Sequence, residues 1–341
     1  MVAEAQDVEF LFNGFNGSEA NFTLDKVSIT KPSGLLRLTN KTQNAVGHAF
    51  YSEKVRMLNR SSSSSMNASS FSTAFVFQII SPSKGEGGFG FAFTLSPSDR
   101  LPEAEAGHYL GLFNSTNDGF SSNYIFAVEF DTVNGFNKST DSVGNHVGIN
   151  INSVDSKAGK PAAYNDDVNR LDSSEELMLD SGKPIQAWVE YNGVTKRINV
   201  TIAPMDHDKP IQPLISFQQD LSTYVKEDMY VGFSASTGNK ASSHYILGWS
   251  FSTKGEAPLL NLSRLPIALQ EKNSSSFRPS VIVIIASLCD KLPVFDDLGS
   301  PDSLRGSTKS MEVSVSSNTI TGSFPSSSIG HMTCSFIDAG R

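Results

Sequence analysis

Apolar and polar residues alternate with a period of two through most of residues 8–252, and no helical period is sustained beyond about two turns. Phe71, Thr73, Phe75, Phe77 and Ile79 alternate with Ser72, Ala74, Val76 and Gln78, which predicts a half-buried strand. Ile125, Ala127, Glu129 and Asp131 alternate in the same way with Phe126, Val128 and Phe130. A polar run from Gly135 to Gly144 then breaks the pattern, and Val147, Ile149 and Ile151 resume it. Residues 8–15 read as an opening strand with a turn at Asn13-Gly14 or Asn16-Gly17, followed by a strand over 34–40. Residues 184–193 and 196–204 read as a hairpin turning at Asn192-Gly193. Many short alternating strands between Gly, Asn and Pro turns predict an all-β fold, an antiparallel sandwich or jelly roll.

The 341 residues suffice for one large all-β domain or two ordinary ones. Phe occurs 23 times against 2 Trp, which fits a core filled from two packed sheet faces. The formal net charge is −8, only 18% of residues are charged, and no run of Lys and Arg stands out, so a nucleic-acid partner is not expected. Cys289 and Cys334 both lie in the last fifth, so no disulfide frames the expected domain. Asn16, Asn21, Asn40, Asn59, Asn67, Asn114, Asn137, Asn199, Asn261 and Asn273 each begin Asn-x-Ser/Thr without an intervening Pro. That density points to a glycoprotein of the secretory pathway, exposed at the cell surface or outside it, although residues 1–9 hold no apolar run of leader length.

Chemistry concentrates at residues 124–156. On a strand, Glu129 and Asp131 point to one face, and Asp141 in the following loop and His146 at its end can converge with them. Carboxylate oxygens suit Ca²⁺ or Mn²⁺, and one imidazole among them suits a transition ion. The competing reading is a solvated acidic face beside a histidine that is either at the surface or a satisfied core group. His48 has no partner nucleophile in view and reads as structural. The glycine-rich turn 85–97 lacks the Lys-Ser/Thr ending and following helix of a phosphate loop.

Ala127-Val-Glu-Phe-Asp-Thr132, Asp141 and Asn145-His-Val-Gly-Ile-Asn-Ile-Asn-Ser153 resemble the metal-binding loop of the legume (L-type) lectins. Gly47-His-Ala-Phe-Tyr51 is similar to a segment of the lectin domains of plant receptor-like kinases, and the likeness extends over about residues 7–256. The resemblance implies a concanavalin-like β-sandwich that binds sugar without catalysis. It implies Glu129, Asp131, Asp141 and His146 as ligands of Mn²⁺, with Ser156 near it through water, and Asp131, Asp141 and the Val133 carbonyl as ligands of Ca²⁺. The family's calcium- and sugar-binding Asn falls here on Gly135, with Asn134 and Asn137 on either side. The family's sugar-binding Asp falls on Phe89, whose ring can stack on a sugar face but accepts no hydroxyl hydrogen bond. The family's cis peptide is accordingly not expected at Gly88–Phe89. Gly107 begins Gly107-His-Tyr-Leu-Gly-Leu-Phe-Asn114, where the family's glycine gives a backbone N–H to sugar, and His108 reads either as a ligand contact or, by default, as an exposed loop histidine. Thr237 and Gly238 open the loop 237–243 that corresponds to the family's specificity loop. Implied partners are a glycan or glycoprotein and a second copy joined through edge strands.

The remaining residues read differently. Residues 257–279 resemble the stalk before the membrane helix of lectin receptor-like kinases, and 280–289 resemble the start of that helix. Val281 to Cys289 is too short to span a bilayer before Asp290-Lys291, so membrane attachment is not expected of this chain. No kinase motif follows, and the Ser-rich residues 290–341 are expected to lack order. Three functions compete: a metal-dependent sugar-binding module, a sensor or protein-interaction domain that has lost sugar binding, and a jelly-roll glycosidase. The last needs a second Glu after Glu129-x-Asp131, where Val133 and Asn134 stand instead, so no enzyme is expected.

Overall fold

The computed structural model of the chain describes residues 7–60, 66–82, 87–133, 144–165 and 174–269, and the backbone of 310–315 and 318–323. It divides into two units, Met1–Glu271 and Lys272–Arg341. In the second unit the described residues form one antiparallel hairpin, Ser310–Val315 with Asn318–Ser323.

The first unit is built on two eight-stranded antiparallel sheets. The back sheet runs Ile215–Gln218, Arg197–Pro204, Ile185–Asn192, Phe71–Ile80, Ser243–Ser252, Leu36–Thr39 and Ile29–Thr30, with Glu9–Phe12 also paired to Ser243–Ser252. The front sheet runs Ala158–Pro161, His146–Ile151, Phe126–Asp131, Gly90–Ser96, Asp228–Ser236, Val46–Tyr51 and Phe22–Lys26, with Val55–Arg56 also paired to Asp228–Ser236. Helical structure among the described residues is confined to short 3-10 turns. The fold is the antiparallel β-sandwich that the alternation predicts.

Phenylalanines from both sheets fill the space between them. Phe75 on the back sheet meets Phe91, Phe93, Phe130 and Phe233 on the front sheet, with ring centroids 5.0–6.2 Å apart. Three of the four contacts are edge-to-face, the geometry the ring quadrupole prefers. Trp249 is wholly buried among them, and its indole N–H donates to Thr73 Oγ1 at 2.9 Å, so burying the polar atom costs little.

The outer faces are covered as well. All ten residues of Phe71–Ile80 are buried, not the alternate half expected from their pattern. Residues 257–268, read from sequence as the start of a stalk, supply the cover. Leu265 and Ala268 pack with Val76, Ile80, Tyr245 and Leu247. Gln78 clips the segment through both backbone groups of one residue, accepting from Ala268 N at 3.0 Å and donating to Ala268 O at 2.9 Å. On the front sheet, Leu112 and Phe113 from the long loop after Ser96 cover Ala92, Ile125 and Ala127. Glu129 and Asp131 continue that same covered face.

The hairpin after Ile185–Asn192 turns through four residues rather than two, with Asn192 opposite Arg197. Asn192 Oδ1 accepts from Val194 N and Thr195 N, and the left-handed residue is Lys196, not Gly193. Gly193 is required for closeness instead, because a Cβ there would strike Ala68 O. Among the described residues no peptide bond is cis, Gly88–Phe89 included.

Candidate functional site

Strand register decides which side chains meet at the end of the covered face. Glu129 lies opposite Gly148, and Asp131 lies opposite His146 on one side and Gly90 on the other. Period two then puts His146, Gly148 and Asn150 on the face that carries Glu129 and Asp131. Glu129 is 3% exposed, Asp131 8% and His146 1%, so the solvated-face reading fails. The Glu129 carboxylate is held from three sides. His146 Nε2 lies 3.2 Å from Oε1, Ser156 Oγ donates to Oε1, and Asn150 Nδ2 donates to Oε2 at 2.7 Å. Gly148 makes the room, since a Cβ there would strike both Ser156 Oγ and Glu129 Oε1. Asp131 Oδ1 accepts from Val133 N at 2.7 Å, a local turn that starts the loop beyond.

Of the expected metal ligands, Glu129, Asp131, Val133 and His146 thus gather at one place with Ser156. Asp141 and Asn137, like Asn134 and Gly135 of the expected sugar site, lie outside the described residues. Among the described residues, no group of three or more His, Cys, Asp or Glu side chains is placed to hold a metal ion.

The glycine-rich turn sits next to this cradle. Phe89 O accepts from both Thr132 N, at 2.8 Å, and Thr132 Oγ1, at 2.9 Å. The half-buried Phe89 ring rests against two glycines. A Cβ on Gly107 would lie 3.5 Å from its Cε2, and one on Gly238 would strike the ring. The His108 ring is 6.5 Å from it. The four described residues of the expected sugar site, Phe89, Gly107, Thr237 and Gly238, therefore do come together. Their polar groups face one another, however. Gly107 N donates to Thr237 O at 3.1 Å, and buried Thr237 Oγ1 accepts from Ala45 N and donates to Thr42 O. Gly238 N donates to Lys240 O at 3.2 Å.

Two other histidines are structural. His48 is buried with Nε2 2.7 Å from Gly111 O, and burial holds its pKa below the usual value despite Asp25 nearby. His244 is buried with Nδ1 2.6 Å from Thr39 Oγ1, and desolvation alone lowers its pKa to about 3.

The family model described as "Legume lectin domain" matches residues 7–267. The chain belongs to the legume lectin family. This lectin is 45% identical over 295 residues to "Probable L-type lectin-domain containing receptor kinase VI.1" of Arabidopsis thaliana, covering 84% of the chain and 42% of that protein. It is 44% identical over 266 residues to the Arabidopsis "L-type lectin-domain containing receptor kinase IV.2", covering 78% of the chain and 38% of that protein. The chain therefore spans less than half the length of the curated relatives it matches. Among solved structures, the metal-free form of lectin I-B4 from Griffonia simplicifolia superposes with TM-score 0.58 and 32% identity, over 74% of this chain and 100% of the other. Peanut lectin with a 9mer peptide gives 0.59 and 28%, over 73% and 97%.

Sequence reading passed over three residues that shape the lectin's site: Gly148, Asn150 and Thr132. The signal for the first two was present, because both share the parity of His146 across from Glu129. Thr132 carries no pattern of its own, and only the fold brings Phe89 to it.

Proposed function

We propose that this chain is the non-catalytic, glycan-recognising module of a receptor-kinase ectodomain, displayed outside the cell and dependent on Ca²⁺ and a Mn²⁺-type ion. The observation that carries the proposal is the buried Glu129 carboxylate, oriented by His146, Asn150 and Ser156 in a cradle that exists only because residue 148 has no side chain. Two carboxylates and an imidazole buried side by side fit a divalent cation in their donor chemistry. Glu129, Asp131 and His146 would hold the transition ion with Asp141, and Asp131, Asp141 and the Val133 carbonyl would hold calcium. When bound, such ions supply positive charge that compensates the buried carboxylates and fixes the loop between Val133 and Gly144. Phe89 then offers a ring to the apolar face of a sugar, held at a fixed height by Gly107 and Gly238.

Thermal melts of the full chain in chelator, then with Ca²⁺ and Mn²⁺, test the metal dependence. A ligand that binds only the native state stabilises it by RT ln(1 + [L]/Kd). The expected result is an upward shift that Asp131→Ala abolishes, and a flat response sinks the metal reading. A broad glycan array with metal-loaded protein tests the sugar, and silence on that array removes it. Edge-strand pairing into a homodimer belongs to the same proposal, and light scattering decides it.

One observation favours a second reading, a sensor or interaction domain for a peptide, an apolar molecule or another ectodomain. Phe89 stands where the family's sugar-binding Asp falls, and the Gly107 N–H and Thr237 hydroxyl are engaged within the protein. Clear monosaccharide inhibition of glycan binding at millimolar concentration or below would end this reading.

A further inference from the structure

The chain has no basic run in sequence, yet the fold assembles a basic pocket on the outer face of the back sheet, away from the Phe89 site. A cavity of about 340 Å³ is lined by Lys31, Arg37, Ser243 and Tyr245, among others, and no carboxylate is among its described lining residues.

Arg37 is the centre of the argument. It sits on Leu36–Thr39 between Ile29 of one neighbouring strand and Tyr245 of the other, so its stem is packed on both sides. Its side chain is half-buried and has no hydrogen bond or ion pair among the described residues, and its Nε is fully buried without an acceptor. Arg does not escape this by losing its proton, and a buried donor left unmade costs about 1–3 kcal/mol, more when charged. Beside it, the Lys31 ammonium lies 5.9 Å from the Tyr245 ring centroid, which positions it without neutralising it. Lys31 likewise has no ion pair among the described residues. A planar fork that accepts bidentate partners and a point charge next to it, over an open cavity, match one ligand chemistry: an oxyanion with at least two oxygens.

We infer that the pocket formed by Lys31, Arg37 and Tyr245 is a second ligand site that binds an oxyanion, either the carboxylate of an acidic sugar or a sulfate or phosphate group. It shares no residue with the metal cradle or the Phe89 site. The exposed Leu269, on the wall of the pocket, immediately follows Ala268, which Gln78 clips to the sheet.

The test is calorimetric titration of the full chain with sodium sulfate, sodium phosphate and sodium galacturonate, each against sodium chloride at matched ionic strength. Asn40 at the pocket rim begins a glycosylation signal, so Asn40→Gln is included in every protein to keep the mouth clear. Saturable binding of at least one of the three is expected. Arg37→Gln should weaken it on the order of tenfold or more, Lys31→Gln by several-fold, and Lys54→Gln, a lysine over Tyr230 outside the pocket, not at all. Binding of galacturonate alone identifies a carboxylate ligand, and binding of the tetrahedral ions alone identifies a sulfate or phosphate. Heat no different from chloride overturns the inference. So does binding that survives Arg37→Gln and Lys31→Gln in proteins that melt normally in chloride. Should Arg37→Gln fail to fold, Lys31→Gln decides, since Lys31 lies just outside the strand.

Discussion

Single positions in this protein are set by what their neighbours leave no room for. Gly148 is in ordinary strand conformation, so backbone freedom is not its purpose; it is there because Glu129 and Ser156 occupy the space of a Cβ. Gly148→Ala should displace the Glu129 carboxylate and destabilise the fold by about 1–3 kcal/mol, the usual cost of overpacking. Melts with and without Ca²⁺ and Mn²⁺ should show both a lower midpoint in chelator and a smaller metal response; an unchanged response would separate the cradle from metal binding. A second prediction concerns His244. The Thr39 hydroxyl lies 2.6 Å from His244 Nδ1 and 3.0 Å from Ser242 O, and Nε2 is buried without a partner among the described residues. The ring therefore stays neutral in the fold down to about pH 3, whereas in the unfolded chain it takes up a proton near 6.5. Its contribution is whole above pH 6.5 and is lost as pH falls toward 3, roughly 2 kcal/mol by pH 5. His48 acts in the same direction. Denaturant melts from pH 8 to pH 5 should show this slope, and His244→Gln should flatten most of it. A slope that the substitution leaves intact would place the titration elsewhere. From sequence, the placing of Glu129, Asp131 and His146 together on one face was legible, because strand parity and order put them there. The neutral buried state of His244 was not, because it depends on what three other segments bring around it.

At the scale of elements, alternation predicted strands well and their exposure poorly. Tyr245, Leu247, Trp249 and Phe251 share one parity in sequence, which on an unbroken strand puts all four on one face. The register shifts between Ile246 and Gly248. Tyr245 and Leu247 consequently face the outer cluster, while Trp249 and Phe251 join the core between the sheets. An extra residue in one strand reverses every later side chain, and no local pattern announces it. The full burial of Phe71–Ile80 was hidden for a related reason, since its cover comes from Leu265 and Ala268, nearly two hundred residues away in the chain. That cover makes a prediction. Leu265 is 7% exposed against Val76, Tyr245 and Leu247, and its Cδ2 closes over Gly248. Leu265→Ala should cost about 2–4 kcal/mol, as large-to-small changes in cores do. Leu269→Ala, at a position 88% exposed, should cost less than about 0.5 kcal/mol. Equal midpoints for the two variants would mean that residues 257–268 behave as the stalk their sequence resembles.

Across the whole molecule, the candidate site is assembled from five stretches that approach only when both sheets are complete: 87–90, 107–109, 129–133, 146–156 and 237–242. The cradle and the Phe89 platform are not separate within this assembly. Asp131 pairs with Gly90, and the next residue, Thr132, holds Phe89 O with both its backbone N–H and its hydroxyl. Fixing Asp131 should therefore fix residues 87–90, through its pairing with Gly90 and through Thr132. Hydrogen–deuterium exchange of the full chain reads this without knowledge of the physiological ligand. Adding Ca²⁺ and Mn²⁺ should slow exchange in 129–133 and 146–156, and also in 87–90. Thr132→Ala removes one of the two bonds to Phe89 O, a net loss of about 0.5–1.5 kcal/mol. Protection of 87–90 by metal should then fall by roughly two- to tenfold while that of 146–156 persists, since opening free energies convert directly to exchange rates. Protection lost from both stretches would mean that Thr132 supports the cradle itself. Protection kept in both would mean that the metal and the platform are coupled by the loop beyond Val133, and the search for a route would move there.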